Sequence, residues 1–469
     1  MMYWRIIKER YASRIEFWIV LFFIIRLIGI TNAPLEIAHN WRQVTGLMVA
    51  RNFLEVDSAI FYPRIDDTQG GTGIIGMEFP LLNYLHFLLA VLFDYQHWYG
   101  RLINLLVSSF GVLYFYKTLK ILFTERIAFY AAYLLLISSW FAFSRKMMPD
   151  TFCISLMLIS LFYGFRYLQE GRLIQLICFF VFATLGMLSK IPALFYLACF
   201  IPYLVKEKPS YKMLGLFSST IIFSLAIVWF WYFKWNPYLS DTYGQWYNEG
   251  MVFSDGFLEI YNHLGATFHR FYFDAFSGFI AFGLCILGFG LAVSRGERGL
   301  LAYVIVLSIS FFFYMVKSGF YFHHHSYYIL PFIPVMAILA GYAISLIPRH
   351  SWLIGLLLLT TIEGIANQQH DFFIKKSELP KLTVEDFIAS EVPKNDLIAV
   401  NGNGNPQLLY LSHRKGWVCS DHQFKDETFL NVLKKQHCKF ILLVKNEQIK
   451  KIPNLKKLKE NDFFSLYML

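Results

Sequence analysis

The sequence predicts a polytopic α-helical membrane protein of about eleven spans, with a large first outer loop and a small C-terminal α/β domain. Three observations predict this. Of 469 residues 57% are hydrophobic and only 16% charged, where a soluble chain carries about a quarter charged residues. The mean hydropathy is +0.46, and the apolar residues fall in repeated runs long enough to cross a bilayer. Beyond residue 370 the pattern changes to a polar, Lys-rich tail with short alternating stretches, which sets residues 1–369 apart as the membrane part and 370–469 as a soluble domain. The net charge of +10 is scattered through short loops, as the positive-inside rule requires, and gives no reason to expect nucleic acid.

Residues 1–16 carry Arg5, Lys8, Arg10 and Arg14, a basic head that predicts a cytoplasmic N-terminus. Residues 17–30 form the first span, read as retained because Asn32-Ala33-Pro34-Leu35-Glu36 follows it rather than a cleavage site. Arg26 inside this span is costly in hydrocarbon and reads either as snorkelling to the interface or as an anion contact. The polar interruption at about 31–100 comes next. Trp41, Val44, Leu47, Met48 and Phe53 have helical spacing over 39–54. Residues 64–76, rich in Asp, Gly and Thr, read as a mobile loop. Residues 80–93 are apolar but short, which suits an interfacial or re-entrant helix rather than a span.

Ten further spans are expected at about 98–116, 127–143, 152–165, 173–188, 191–205, 213–233, 278–293, 300–316, 327–347 and 352–366. With that count the basic loops at 117–126, 166–172, 206–212, 295–298 and 349–350 share the side of the N-terminus. If 80–93 spanned as well, all of them would lie outside, against the charge rule. The opposite face then collects Glu78, the turn Met148-Pro149-Asp150, the turn Ser189-Lys190, the aromatic stretch 234–276, and Lys317 to His325. These features predict a multi-pass protein of the inner (cytoplasmic) membrane whose active site faces the periplasm or exterior.

In the tail, strands are expected at 397–400, 439–444 and 463–468, with a helix at 427–437. Asn401-Gly402-Asn403-Gly404-Asn405-Pro406 lacks the full dinucleotide or Walker pattern and reads as a turn. Of six cysteines, Cys153, Cys178, Cys199 and Cys285 lie in apolar runs as core residues. Cys419 and Cys438 set no disulfide framework.

Carboxylates at a bilayer edge, such as Glu78 before Phe79-Pro80 and Asp150 after Met148-Pro149, can act as bases, metal ligands or acceptors. An acid at a helix N-terminus also favours the dipole, which is the plain alternative. Lys190, Lys317 and Arg145, with Lys146 beside it, can form a basic pocket for a phosphate or serve as span-end anchors. The run His323-His324-His325 invites a zinc reading, but adjacent residues on a helix point apart, and no His-x-x-x-His pair or Cys partner supports it. A single His or Tyr bonding a phosphate fits better. The stretch 234–276 holds Trp235, Tyr238, Tyr243, Trp246, Tyr247, Tyr261, His263, His269 and Arg270 with Asp241, Glu249 and Asp255. This mix suits sugar binding, and equally an aromatic interface belt.

In order and spacing these features resemble the GT-C superfamily of polyprenyl-phosphate-dependent membrane glycosyltransferases, nearest the aminoarabinose lipid A transferase and protein O-mannosyltransferase branch. The resemblance covers about 17–347. Glu78 before Phe79-Pro80 is similar to the family's glutamate before Lys-Pro. Asp150 matches its acid after the third span. Gly186-Met187-Leu188-Ser189-Lys190-Ile191-Pro192 matches its Lys-Pro turn, and Lys317 to Pro334 resembles its Lys-rich stretch, with Tyr327 or Tyr328 at the lipid-phosphate tyrosine position.

The resemblance implies a GT-C-like fold and transfer of a sugar from an undecaprenyl- or dolichyl-phosphate carrier to an acceptor lipid, glycan or protein on the outer face, with inversion. Lys190, Lys317 and Arg145 would stabilise the departing phosphate, with His325, Tyr327 and Tyr328 as further contacts. Glu78 and Asp150 would orient the acceptor or a divalent cation; no cofactor is fixed. The family's acidic pair in the first loop is absent. That position reads His39-Asn40-Trp41-Arg42-Gln43, leaving His39 as a candidate base and Asn40 and Arg42 as candidate substrate contacts. Two other classes remain: a transporter or flippase of lipid-linked glycans, for which an internal repeat would be expected and none is seen, and a glycan polymerase or ligase.

Overall fold

The computed structural model describes residues 12–37, 39–244, 250–446, 449, 451–452 and 454–469. Arg5, Lys8, Arg10, Trp246, Tyr247 and Glu249 lie outside the described residues. The chain divides into two compact units. The first holds residues 1–30, 101–233 and 248–372; the second holds 31–100, 234–247 and 373–469. The division at 372/373 falls close to the expected boundary, but the tail shares its unit with the first loop and with 234–247 rather than standing alone.

The first unit is helical. Among the described residues of the chain, five helices are long and apolar enough to cross a membrane: Tyr99–Leu122, Pro149–Glu170, Tyr211–Tyr243 (whose residues from 234 on belong to the second unit), Arg298–Ser318 and Ser326–Ser345. Shorter apolar helices run over Leu173–Ser189 and Ile280–Ser294. Every residue of Ile333–Ser345 is buried. Glycines allow its neighbours to come so close. A Cβ on Gly341 would stand 2.6 Å from the Ala131 nitrogen, and one on Gly288 would stand 2.0 Å from the Leu339 carbonyl oxygen. Small residues at such contacts let helix backbones approach, which is how apolar helices associate where no water is available to be excluded.

Two expected spans are broken. The run 127–143 divides into Glu125–Ile137 and Ser139–Phe143. Between them Ser138 is extended (φ −75°, ψ 168°), and its hydroxyl donates to the Leu135 carbonyl at 2.7 Å, a local bond that competes with the helix ladder. The run 191–205 opens with a 3₁₀ stretch, Ile191–Cys199, and becomes α-helical only at Phe200–Glu207. Pro192 lies in that first turn and supplies no N–H. Arg26 does not snorkel, and the Asp371 carboxylate acts on it electrostatically. Arg26 is buried, donates to the Gln368 side chain and lies 5.6 Å over the Phe372 ring.

The second unit joins a small sheet to the helices of the first loop. Strands β1 (Ile398–Asn401), β2 (Gly416–Cys419), β3 (Phe440–Val444), β4 (Lys456–Glu460) and β5 (Phe464–Met468) lie in the order β2-β1-β3-β5-β4. β1 is parallel to both β2 and β3, and β5 is antiparallel to β3 and β4. Parallel neighbours need crossovers, and the helices Gln407–Ser412 and Glu427–Lys435 lie in them. β2 and β4 were not expected from the sequence. β2 is only four residues, and β4 is the Lys-rich edge strand, whose charges guard an open edge. Cys419 and Cys438 are buried free thiols.

The helix Leu81–Phe93 belongs to this unit. Its 13 residues rise about 20 Å, short of a bilayer core of about 30 Å. Asn83 in it donates to the Gly46 carbonyl at 2.7 Å, fastening it to Asn40–Glu55. The expectation of a mobile loop at 64–76 is corrected. Asp66 is buried and accepts from Arg51 at 2.6 Å and from Asn52 at 2.9 Å. Arg64 and Ile74 form a β-bridge, and the Gln69 and Gly416 N–H groups donate to the Gly416 and Asp66 carbonyls at 3.0 Å each. Two backbone hydrogen bonds thus fasten the loop to Gly416 at the start of β2. A charged residue rich in hydrogen-bonding capacity looks like loop in one dimension, but here its carboxylate satisfies the buried side-chain donors of Arg51 and Asn52.

Candidate active site

In the first unit the candidate residues gather around Asp150. Pro149 opens the helix Pro149–Glu170, where its fixed φ suits the first turn and its missing N–H is not needed. Asp150 follows in that turn, where the helix dipole favours an acid. The segment before it is pinned by Asn104, whose side-chain amide donates to the carbonyls of Lys146 at 2.9 Å and Met148 at 3.1 Å. Asn104 Oδ1 accepts from the Thr151 hydroxyl at 3.1 Å.

Lys190 comes from the far end of Leu173–Ser189, where a cation suits the C-terminal dipole. Gly186 brings the two helices together. A Cβ there would stand 3.0 Å from the Cys153 carbonyl oxygen and 3.3 Å from the Met157 nitrogen. Across that close contact Lys190 Nζ donates to Asp150 Oδ1 at 2.5 Å. Both side chains are largely withdrawn from solvent, at 12% and 5% exposure. Asp150 Oδ2 is buried without a hydrogen-bond partner among the described residues.

The same ammonium group lies 5.0 Å from the Tyr327 ring centroid and 5.6 Å from that of Tyr328, within cation–π range. His325 stacks on Tyr327 at 5.2 Å, and Tyr314 stacks on Tyr328 at 6.1 Å. Thus Asp150, Lys190, His325, Tyr327 and Tyr328 do come together. The other two cations of the expected basic pocket do not join them. Lys317 is exposed and enters none of these contacts among the described residues. Arg145 is buried and donates to the Asp371 and Ile28 carbonyls, with its guanidinium 4.8 Å over the Phe372 ring. Lys146 beside it pairs with Asp371 at 2.7 Å. Burial raises the Asp371 carboxyl, but Lys146, His370 and Arg26 together hold the group below the usual carboxylate range. Arg145 is thus engaged with the backbone around residues 28 and 371.

In the second unit His39 stands in the left-handed region (φ 62°, ψ 29°) and ends the approach to Asn40–Glu55. Arg42, on the first turn of that helix, pairs with Glu78. Glu78 is 2% exposed, and its Oε2 is buried with no hydrogen-bond partner among the described residues. Asn40 Oδ1 accepts from Asn405 at 3.2 Å. Asn405 lies in the Asn-Gly turn after β1, so that turn supports the helix start, as a turn and not as a phosphate loop. Glu36 is also buried and accepts from Gln43 at 3.3 Å.

Sequence reading missed the parts that hold the site residues in place. Asn104, Gly186 and Tyr314 carry no motif; a polar residue within an apolar helix was the one available signal for Asn104. The stretch 234–276, expected as a loop, is mostly helical, with Asn236–Tyr243 in the second unit and Phe253–Asn262 and Leu264–His269 in the first. Trp235 donates to the Phe61 carbonyl at 2.9 Å and packs edge-on against Tyr62 at 5.5 Å, which makes it a packing residue.

Glu78 and Asp150 do not fit a divalent cation well, because each already accepts from a basic side chain that would repel the ion.

The family model described as dolichyl-phosphate-mannose-protein mannosyltransferase matches residues 78–233, a stretch that begins at Glu78 and includes Asp150 and Lys190. No curated protein matches the sequence. Among solved structures, the fold is similar to ArnT from Cupriavidus metallidurans bound to undecaprenyl phosphate, with a TM-score of 0.65 at 11% identity over 96% of this chain and 98% of that one. The apo state of the same protein matches with a TM-score of 0.61 at 12% identity, over 96% and 97% of the two chains. The archaeal oligosaccharyltransferase AglB from Archaeoglobus fulgidus, in complex with an inhibitory peptide and a dolichol-phosphate, matches at 0.53 and 11% identity over 91% of this chain and 69% of that one. The segment that carries the buried Asp150–Lys190 pair thus matches that family model, and nearly the whole chain shares the fold of these solved structures.

Proposed function

We propose that the protein transfers a sugar from a polyprenyl-phosphate carrier to an acceptor lipid, glycan or protein at the outer face of the cytoplasmic membrane, with inversion at the anomeric carbon. The observation that carries this is Lys190: a cation withdrawn from water, held by Asp150 and faced by Tyr327 and Tyr328. Such a group suits a phosphate that gains charge as it departs, because a preplaced cation in a dry site needs no reorganisation during reaction. The undecaprenyl phosphate named for ArnT and the dolichol-phosphate named for AglB support a carrier of this chemistry.

In the step proposed, an acceptor oxygen attacks the anomeric carbon while the bond to the carrier phosphate oxygen breaks. The electron pair stays with the phosphate, and Lys190 neutralises it. The acceptor's proton goes to a carboxylate. Glu78 and Asp150 each keep one buried oxygen without a partner among the described residues, which is the capacity this role needs. His39 is a second candidate for the proton and Asn40 for a sugar hydroxyl. Arg42 acts by holding Glu78 in position, and His325 by bracing Tyr327.

The charge distribution of the loops supports the outer-face orientation. Cysteines introduced as Asp67→Cys and Lys208→Cys test it: labelling of both from one side of intact cells would rule out the eleven-span scheme. For the activity, purified protein is incubated with polyprenyl-phosphate sugars and candidate acceptors. Transfer that is lost in Asp150→Asn is expected. Failure of the wild-type protein with every donor, with unchanged surface glycans in a Glu78→Gln, Asp150→Asn strain, would overturn the assignment.

A further inference from the structure

The sequence offers no metal motif, since three consecutive histidines on a helix diverge and no second ligand pair accompanies them. The fold supplies the missing partners from another segment. Helix Phe253–Asn262 carries Glu259, and His263 follows one turn later, so both project from the same face. His323 arrives from the short helix Phe320–His324. The approach of these two segments depends on a glycine. A Cβ on Gly256 would lie 2.0 Å from the Val316 carbonyl oxygen, a position no other residue tolerates. With that contact made, Glu259 Oε1 stands 2.8 Å from His323 Nε2 and 3.2 Å from His263 Nδ1. The two imidazoles stack face to face at 4.2 Å. One ligand atom from each of the three side chains lies within 4.8 Å of the others.

We propose that Glu259, His263 and His323 form a binding site for a transition-metal dication of the zinc type. Two imidazoles with one carboxylate are ligands suited to zinc and its neighbours, whereas calcium and magnesium prefer oxygen alone. Bonds of about 2.0–2.1 Å in a tetrahedron separate ligand atoms by about 3.3 Å. The two spacings to Glu259, 2.8 and 3.2 Å, therefore need to open by about 0.5 and 0.1 Å, while the spacing between the two imidazole nitrogens lies within 4.8 Å. Three protein ligands leave the fourth position for water or an anionic oxygen. His263 is 47% exposed, which leaves a path for entry. The surroundings fix the ligands in place. The His323 carbonyl accepts from Arg270 at 2.7 Å, and Arg270 is itself paired with Asp274.

The site also bears on the segment that faces Lys190. His325 and Tyr327 lie two and four residues beyond His323, so an ion there ties the aromatic segment to helix Phe253–Asn262. The inference does not rest on the proposed reaction. Its competitor is a hydrogen bond from His323 to the Glu259 carboxylate at 2.8 Å and one from His263 Nδ1 to the Glu259 backbone carbonyl at 3.0 Å, with no ion.

The test uses the full-length protein in detergent, with any purification tag removed, stripped by chelator and titrated with zinc and cobalt. One tight equivalent of zinc is expected, with a visible cobalt spectrum of low-symmetry, four-coordinate type. His263→Ala, at an exposed position with little packing to lose, should weaken binding at least tenfold. Glu259→Gln, which keeps the size of the side chain, should do the same. No stoichiometric zinc at micromolar concentration in the wild type overturns the proposal, and so does unchanged affinity in both variants.

Discussion

Replacing Lys190 with alanine would remove the cation that the proposed reaction needs and leave Asp150 buried without its partner. The two effects have separable magnitudes. Breaking one side of a buried ion pair costs about 3–5 kcal/mol, because the remaining charge is left in a poor solvent. With 12% and 5% of the side chains exposed, this pair is near the buried limit, and the variant should melt at a clearly lower temperature. Removing a preplaced electrostatic contact to the departing group lowers turnover by about 10²–10³. Asp150→Asn separates these effects. It keeps an acceptor for Lys190, and it leaves the ammonium more positive toward a phosphate. It should melt near the wild type, bind polyprenyl phosphate at least as tightly, and lose turnover if Asp150 handles the acceptor. The assay is radiolabelled sugar transfer in detergent or proteoliposomes, with melting and carrier binding measured on the same samples. If Lys190→Ala transfers sugar within about threefold of the wild type while melting as low as expected, the cation is structural and the reasoning fails.

Arg42→Ala should lower stability by a similar order, about 3–5 kcal/mol, because Glu78 stays buried; adding Glu78→Gln should restore much of the melting temperature without restoring transfer. Gly186→Ala forces a Cβ to 3.0 Å from the Cys153 carbonyl oxygen and should cost about 1–3 kcal/mol by overpacking, read as a lower melting point and weaker transfer together. A pH effect follows from Asp67. Burial pushes its carboxyl up from near 3.8 to about 6, against the opposing hydrogen bonds from Val418 and Gln69. Between those values the folded chain holds a proton that the unfolded chain has released, so the contribution of this group to stability is full below about pH 4 and falls away as pH rises through about 6. Asp67→Asn should flatten that part of a melting-temperature profile between pH 4 and 7; an unchanged slope would mean that another group carries it.

Much of the architecture follows from one-dimensional pattern. Apolar runs mark helices because a backbone in hydrocarbon must satisfy its own hydrogen bonds. Strand β3 and the helix Glu427–Lys435 were readable from alternation and from amphipathic spacing. β4 was not, because an edge strand with Lys456, Lys457 and Lys459 has no buried face to announce it. Ser138 and Pro192 broke two expected spans through local backbone chemistry that hydropathy averages away.

The sequence by itself determined a helical fold and singled out Asp150 and Lys190, because each sits where an apolar run ends and a polar group is expensive, while Tyr327 and Tyr328 were singled out by the family resemblance. Tertiary structure decided what those residues touch. Lys190 meets Asp150 because Gly186 lets two helices close on each other, whereas Arg145, equally promising on paper, turns to backbone carbonyls near Asp371 and Ile28. His323 finds Glu259 and His263 some sixty residues away. Charge and spacing are properties of the chain, but the partner of a buried charge is set by which helices pack together, and that depends on contacts between residues far apart in sequence.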